Sequence, residues 1–236
     1  MTKIDEIAKM IDHSILHPTF TDEDLLKNCE IAWKYNVATV CVKPYHVKMA
    51  SGFLKGSDVG ICAVIGFPHG NSTTEIKKME AMQVIQDGAV EVDMVVNIGK
   101  VLQKDWDYIN KELIEINSVC TANKAGLKVI FETDFVTKDD DKIKLCQLCN
   151  ANNVAFVKTS TGYGFVKGEE GQYNYVGATL KDVVLMRKYC NSNIQVKAAG
   201  GIRNLEQVLK MKESGATRIG ATATEMIMEE AKIRFK

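Results

Sequence analysis

The chain alternates short, almost purely apolar runs with longer amphipathic ones, and it does so eight times. The short runs are Ile11–Ile15, Ala38–Val42, Gly60–Phe67, Val90–Val96, Lys128–Thr133, Ala155–Lys158, Gln195–Ala199 and Thr217–Ala221. They are rich in valine and isoleucine and are bounded by glycine, asparagine or charged residues. Near-continuous apolarity over so short a span is what a parallel strand covered on both faces looks like. Eight runs in 236 residues leave about 30 residues per repeat, the length of one strand–helix unit. The pattern predicts an α/β protein: a single (β/α)8 TIM barrel with a short N-terminal helix. No linker or charge block divides it, and only three prolines occur, so residues 1–236 read as one domain. The rival is an open doubly wound sheet, which normally carries a glycine-rich phosphate turn after its first strand. His13-Ser14-Ile15-Leu16-His17-Pro18 stands there instead.

The segments between the runs carry helix signals. Thr21-x-x-Asp24, Ser72-x-x-Glu75, Thr137-x-x-Asp140 and Asn204-x-x-Gln207 each pair an N-cap residue with an acidic or amide residue three positions on. After the first, Leu25, Leu26, Cys29, Ala32 and Trp33 form one stripe; Met79, Met82 and Ile85 follow the second. Gly88, Gly126 and Gly215 read as helix stops.

Composition excludes several classes of function. Lysine plus arginine equals aspartate plus glutamate, 30 each, so there is no global attraction to nucleic acid or to an anionic membrane. No apolar run approaches the roughly 20 residues that span a bilayer, and the N-terminal residues lack a secretory signal pattern. Seven cysteines, at 29, 41, 62, 120, 146, 149 and 190, read as reduced, mostly buried thiols of a cytoplasmic protein. Cys146 and Cys149 form a C-x-x-C, but inside a helical pattern, where an i, i+3 pair reads as core packing rather than redox chemistry. The four histidines offer no metal constellation at ligand spacing, so neither a metal nor another cofactor is expected.

Among the ionisable residues inside runs that should be buried, three are singled out: Asp93 in the fourth, Lys158 in the sixth and Lys197 in the seventh. In a barrel, the C-terminal strand ends hold the active site. A lysine in an apolar strand is costly unless it is paired or neutral. Burial and a neighbouring positive charge both lower a lysine's pKa from about 10.4, in documented cases to about 5–6. A neutral lysine is a nucleophile toward carbonyls. Two inward lysines on adjacent strands therefore form a coherent device: one is activated by the other's charge, and Asp93 keeps the second charged. The bland alternative is a Lys–Asp ion pair that only plugs the barrel.

At these residues the sequence resembles deoxyribose-phosphate aldolases. The likeness rests on Val157-Lys158-Thr159-Ser160-Thr161-Gly162, on Val196-Lys197-Ala198-Ala199-Gly200-Gly201-Ile202-Arg203 and on Glu91-Val92-Asp93-Met94-Val95-Val96-Asn97. Ile11-Asp12-His13-Ser14-Ile15-Leu16 and Thr39-Val40-Cys41-Val42 extend it, in the right order, over nearly the whole chain. The resemblance implies a metal-independent class I aldolase that cleaves 2-deoxy-D-ribose 5-phosphate to acetaldehyde and D-glyceraldehyde 3-phosphate. It implies Lys158 as the Schiff-base lysine, with Asp93 and Lys197 as its proton relay. It carries Asp12, Thr161 and Gly162 to the substrate side.

Loops after the last two strands are the usual phosphate seat of such barrels, which points to Gly200, Gly201 and Thr222. Two departures from the family pattern touch substrate choice. The last strand runs into Gly220-Ala221-Thr222-Ala223-Thr224-Glu225 rather than a serine-rich segment, and Glu225 brings a carboxylate toward the expected phosphate. An extra loop, Tyr163–Val176, precedes Gly177-Ala178-Thr179 and should sit over the site mouth as a lid, a subunit contact or a specificity element. Two other readings stay open: an aldolase of the same kind for a different or unphosphorylated sugar, and a non-catalytic phosphosugar-binding barrel. The expected partners are a small phosphosugar and a second copy of the chain in a homodimer.

Overall fold

In the computed structural model, which describes residues 2–236, the chain begins with helix α1 (Lys3–Ala8) and strand β1 (Ile11–Ile15). Then come α2 (Asp22–Tyr35), β2 (Thr39–Val42), a 3-10 turn (Pro44–His46), α3 (Val47–Phe53), β3 (Gly60–Ile65), α4 (Thr74–Gln86) and β4 (Glu91–Val95). The middle holds α5 (Ile98–Leu102), α6 (Trp106–Ala122), β5 (Gly126–Ile130), α7 (Asp139–Ala151) and β6 (Phe156–Lys158). A small hairpin, β7 (Val166–Lys167) and β8 (Tyr173–Asn174), interrupts the repeat. The chain ends with α8 (Leu180–Tyr189), β9 (Gln195–Ala199), α9 (Leu205–Glu213), β10 (Arg218–Ala221) and α10 (Thr224–Arg234). Eight parallel strands close in the order β1-β10-β9-β6-β5-β4-β3-β2, with β1 hydrogen-bonded to both β2 and β10. The eight apolar runs are these eight strands, and the barrel class read from the sequence holds.

Successive residues of a strand point to opposite faces, and here the two faces differ in chemistry. Ile11, Ile15, Val40, Val42, Val92, Met94, Leu127, Val129, Val157, Val196 and Ile219 face outward into one apolar cluster with the helices. Each such side chain, taken fully out of water, contributes about 1.5–3 kcal/mol. The alternate positions face the barrel lumen and are largely polar: Asp12, Thr39, Asp93, Lys128, Lys158 and Lys197 are all buried. A small lumenal cluster of Leu16, Cys41, Cys62 and Val64 accompanies them.

The helix signals hold unevenly. Thr21 and Asp24 form the expected capping box, and Asn204 caps α9. The α4 cap is Thr73 rather than Ser72. α7 begins at Asp139 after Lys138, with no side-chain cap. Thr137 lies too far upstream, and three aspartates in the first turn complement the helix dipole instead. Gly88 and Gly215 take left-handed conformations at helix ends, whereas Gly126 opens β5 and Lys124 takes the left-handed position after α6. Trp33, Met79 and Met82 are exposed, and Tyr35, Lys77, Ala81 and Val84 occupy the buried faces of their helices. All seven cysteines are unpaired and buried, Cys146 and Cys149 among them. No helix among the described residues is long and apolar enough to cross a membrane.

Candidate active site

β6 and β9 pair in register with Lys158 opposite Lys197, so both side chains enter the lumen at one level. Asp93 rises from β4 and meets them. Its Oδ2 accepts from Lys158 Nζ at 2.7 Å and from Lys197 Nζ at 2.8 Å. The three residues singled out in the sequence thus share one carboxylate oxygen, and each is at most 2% exposed, where an unpaired charge would be costly.

The structure adds a residue that the sequence reading passed over. Lys128, fully buried on β5, reaches Asp93 Oδ1 at 2.9 Å, Glu91 Oε2 at 2.5 Å and Asp12 Oδ2 at 3.5 Å. Asp12 also pairs with Lys197 at 2.5 Å and with Arg218 at 2.5 Å, and it accepts from Thr39 Oγ1 at 2.8 Å. Arg218 takes Glu91 with both terminal nitrogens, at 2.8 and 3.1 Å. The Phe156 ring lies against Lys128 Nζ and Arg218 Cζ, 5.5 and 5.0 Å from its centroid. The lower lumen is therefore a closed charge lattice on which Asp93 and the two upper lysines rest.

Lys128 begins its apolar run, and a charge at the end of a run reads as a boundary; the alternation of lumenal positions along β5 is the signal that could have found it. Asp12 lies deeper in the lattice than a direct substrate ligand needs to, although it also borders the cavity. Burial alone would raise the Asp93 carboxyl, but Lys128, Lys158 and Lys197 hold it well below the ordinary range. Burial likewise opposes a charged Lys197, yet Asp12 and Asp93 keep its ammonium above the usual value. Gly220 on β10 makes room for this side chain: a Cβ there would lie 2.9 Å from Ala199 Cβ and 3.4 Å from Lys197 Cε.

Above this level opens a cavity of about 280 Å³. Lys158 and Lys197 form its floor; Thr161, Gly162, Gly200, Gly201 and Thr222 lie on its wall, and Arg203 stands at the same end as the two glycines. α10 starts beside Thr222 with no side-chain cap on its first turn. Glu225 does not reach this end. Its exposed carboxylate turns outward to Lys34 of α2, 3.5 Å away, so the expectation of a negative charge against the phosphate seat is corrected. Thr161 lines the cavity, but its hydroxyl donates to Glu132 and accepts from the Tyr163 N–H.

The Tyr163–Val176 segment does fold over the mouth. Tyr163, Phe165 and Tyr175 border the cavity and continue edge-to-face from Phe67, with centroid separations of 5.6, 6.4 and 5.7 Å along the series. Asp134 ties down its far end by accepting from the Val176 and Gly177 N–H groups. Lys167 sits exposed on the hairpin, away from the cavity wall, and His69 is exposed in its loop.

Folding also assembles donor sets that the sequence spacing did not reveal. Cys41, Cys62 and Asp93 bring ligand atoms within 4.8 Å of one another, as do Asp12, Cys62 and Glu91. Their chemistry does not suit a divalent cation. Both Asp93 oxygens already face ammonium groups, and Cys62 donates to Asp93 Oδ1 at 3.0 Å while accepting from Lys128 at 3.0 Å. Burial pushes the Cys62 thiol well up, away from the thiolate that a metal needs.

Comparison with known proteins accords with this geometry. The profile described as "DeoC/LacD family aldolase" matches residues 6–225. The deoxyribose-phosphate aldolase of Rhodopirellula baltica is 45% identical over 227 residues, covering 96% of this chain and 90% of its own. That of Thermococcus gammatolerans is 45% identical over 229 residues, covering 96% and 97%. Among solved structures, the deoxyribose phosphate aldolase of Aeropyrum pernix, described as a unique tetramer, superposes with a TM-score of 0.86 at 26% identity, covering 98% of this chain and 92% of its own. The chain belongs to the DeoC/LacD aldolase family.

Proposed function

We propose that this aldolase cleaves 2-deoxy-D-ribose 5-phosphate to acetaldehyde and D-glyceraldehyde 3-phosphate, reversibly, through an imine on Lys158. The observation that carries the reading is the sharing of Asp93 Oδ2 by Lys158 and Lys197 at the floor of the cavity. The names of the curated relatives support the same substrate.

Lys158 Nζ adds to the aldehyde carbon of the open-chain sugar, and loss of water gives the protonated imine. Removal of the proton from the hydroxyl on carbon 3 then breaks the bond between carbons 2 and 3. The electron pair moves into the imine as an enamine, and glyceraldehyde 3-phosphate leaves. Protonation of the enamine and hydrolysis release acetaldehyde and restore the amine. Asp93 and Lys197 form the proton relay, worth roughly 10²–10⁴ in rate. Lys197 is held in place by Asp12 from below.

The phosphate seat is the Gly200, Gly201 and Thr222 end of the cavity, next to the uncapped first turn of α10, where backbone N–H groups attract an anion. Because the donor sets in the lumen are held by ammonium groups, activity is expected to survive exhaustive EDTA treatment. A homodimer or larger assembly is expected, and seven unpaired buried thiols suit the reducing cytoplasm.

A second reading, an unphosphorylated or longer sugar, draws on the aromatic wall of Tyr163, Phe165 and Tyr175. A cleavage assay comparing 2-deoxyribose 5-phosphate with 2-deoxyribose separates the two. The proposal expects much higher kcat/KM for the phosphate ester; equal values would favour the second reading.

A further inference from the structure

Glu132 follows β5 and stands outside the charge lattice and the cavity wall, yet it is fully buried. Its backbone takes φ +54, a left-handed conformation that non-glycine residues adopt only where the surroundings hold them. Oε2 accepts from the N–H of Thr161 at 3.2 Å and from the Thr161 hydroxyl. Oε1 is buried with no hydrogen-bond partner among the described residues. Gly164 lies against the same carboxyl group: a Cβ there would be 2.9 Å from Glu132 Cδ and 3.0 Å from Oε1.

The position of this carboxylate in the chain gives it leverage. The backbone after β5 follows the backbone after Lys158 step by step, with Phe131 N–H donating to Lys158 O at 2.9 Å and Thr133 N–H to Thr159 O at 3.1 Å. Glu132 then takes Thr161, and the Thr161 hydroxyl takes the N–H of Tyr163 at 2.9 Å. One side chain thus joins the imine strand to the first residue of the aromatic flap. Leaving Oε1 buried and unsatisfied costs about 1–3 kcal/mol, a cost that an apolar side chain filling the same space would not carry.

We propose that Glu132 is a positioning residue of the aldolase site: its carboxylate pins Thr161, fixes the turn after Lys158, and holds the Tyr163–Val176 flap over bound phosphosugar. This rests on Lys158 as the imine lysine. The hold depends on the ionised form. A carboxylate accepts charge-assisted bonds about twice as strong as neutral ones, and the protonated acid would leave its own O–H buried without an acceptor at Oε1. Burial pushes this carboxyl up, the two bonds from Thr161 oppose that, Asp134 adds to the rise and Lys158 counters it, with the balance at about 7. The flap is therefore held above neutrality and loosened below it, while the lysine chemistry beneath stays intact.

The test compares wild type with Glu132→Gln, Glu132→Ala and Gly164→Ala, each checked for folding by circular dichroism. kcat and KM for 2-deoxyribose 5-phosphate are measured from pH 5.5 to 9, and acetaldehyde is trapped on the enzyme with borohydride at pH 8. The expected result is that all three variants trap acetaldehyde within about twofold of wild type. Glu132→Gln should lose about tenfold in kcat/KM at pH 8, mainly through KM, and should lack the wild-type fall in kcat/KM below about pH 7. Glu132→Ala should lose more, and Gly164→Ala should raise KM by pressing on the carboxyl. If Glu132→Ala does not fold, the Gln and Gly164 variants carry the test. Trapping lost in proportion to cleavage, or a Gln variant with wild-type activity and pH profile, overturns the proposal. A wild type that traps no acetaldehyde at Lys158 defeats the imine reading instead, a separate outcome.

Discussion

Lys158 and Lys197 reach the same atom: Asp93 Oδ2 lies 2.7 Å from one ammonium nitrogen and 2.8 Å from the other. Two like charges so close would repel strongly in a dry lumen without the carboxylate between them. The arrangement leaves Lys158 Nζ in direct hydrogen-bond contact with a carboxylate. It leaves Lys197 charged, because Asp12 holds it from the other side at 2.5 Å.

Asp93→Asn should therefore cost more than one hydrogen bond. The amide keeps the shape but removes the charge that three ammonium groups face. Breaking a buried ion pair from one side costs about 3–5 kcal/mol, and, with Asp93 in the proposed proton relay, its loss should cost roughly 10²–10⁴ in rate. Urea denaturation and the cleavage assay together check both. A variant with wild-type stability and less than a tenfold loss of rate would mean that the lattice does not depend on this carboxylate.

Lys128→Met tests the base of the lattice. The methionine fills similar volume but leaves Asp12, Glu91 and Asp93 with only Arg218 and the upper lysines as counter-charges. Lys128 is the strongest of the charges that hold the Asp93 carboxyl down against burial. Stability should fall by about 3–5 kcal/mol, and the acidic limb of kcat should move to higher pH as Asp93 becomes easier to protonate. An unmoved limb would show that Lys158 and Lys197 suffice.

How much of this was legible in the sequence follows from where each charge sits. Asp93 and Lys197 interrupt apolar runs, and Lys158 closes one just before a Thr-Ser-Thr-Gly turn, so single residues betray them. Lys128 and Arg218 stand at or near the start of theirs, where a charge reads as a strand boundary; only the closed barrel shows that they meet across the lumen. Glu132 stood inside the Lys128–Thr133 run and was passed over there; the strand ends at Ile130, and only the fold shows this carboxyl in the irregular backbone beyond it, reaching Thr161. The flap was legible as an extra loop, but its edge-to-face aromatic series depends on Phe67 from another loop. Glu225 misled because closeness in sequence to Thr222 is not closeness in space: one turn into α10, its side chain points to α2.

Glu132 also sets a pH dependence of stability. Its carboxyl rises from an ordinary value of about 4.3 in the unfolded chain to about 7 in the fold. Between those values the folded state binds the proton and the unfolded state does not, so this residue favours folding at lower pH and that contribution is lost as pH rises through 7. From pH 6 to pH 8 the loss should be about 1 kcal/mol. Urea titrations at the two pH values should show this difference in wild type but not in Glu132→Gln. An identical pH slope in both would place the proton elsewhere.

At the glycine end of the cavity, Gly201 holds a left-handed φ of +79. Gly201→Asp adds a side chain and a negative charge at the proposed phosphate seat. Loss of a charged hydrogen bond or two, each about 1.5–3 kcal/mol, should lower kcat/KM for 2-deoxyribose 5-phosphate by about 10²-fold or more, and hardly change it for 2-deoxyribose. Equal losses on both sugars would point to a distorted barrel rather than a phosphate seat.

Covalent attachment of substrate to Lys158 can be trapped by reduction. The enzyme is incubated with acetaldehyde, reduced with borohydride, digested, and examined by peptide mass spectrometry. A stable ethyl group is expected on Lys158 and should be absent from Lys158→Ala. Labelling at Lys197, or labelling that persists in Lys158→Ala, would place the imine elsewhere.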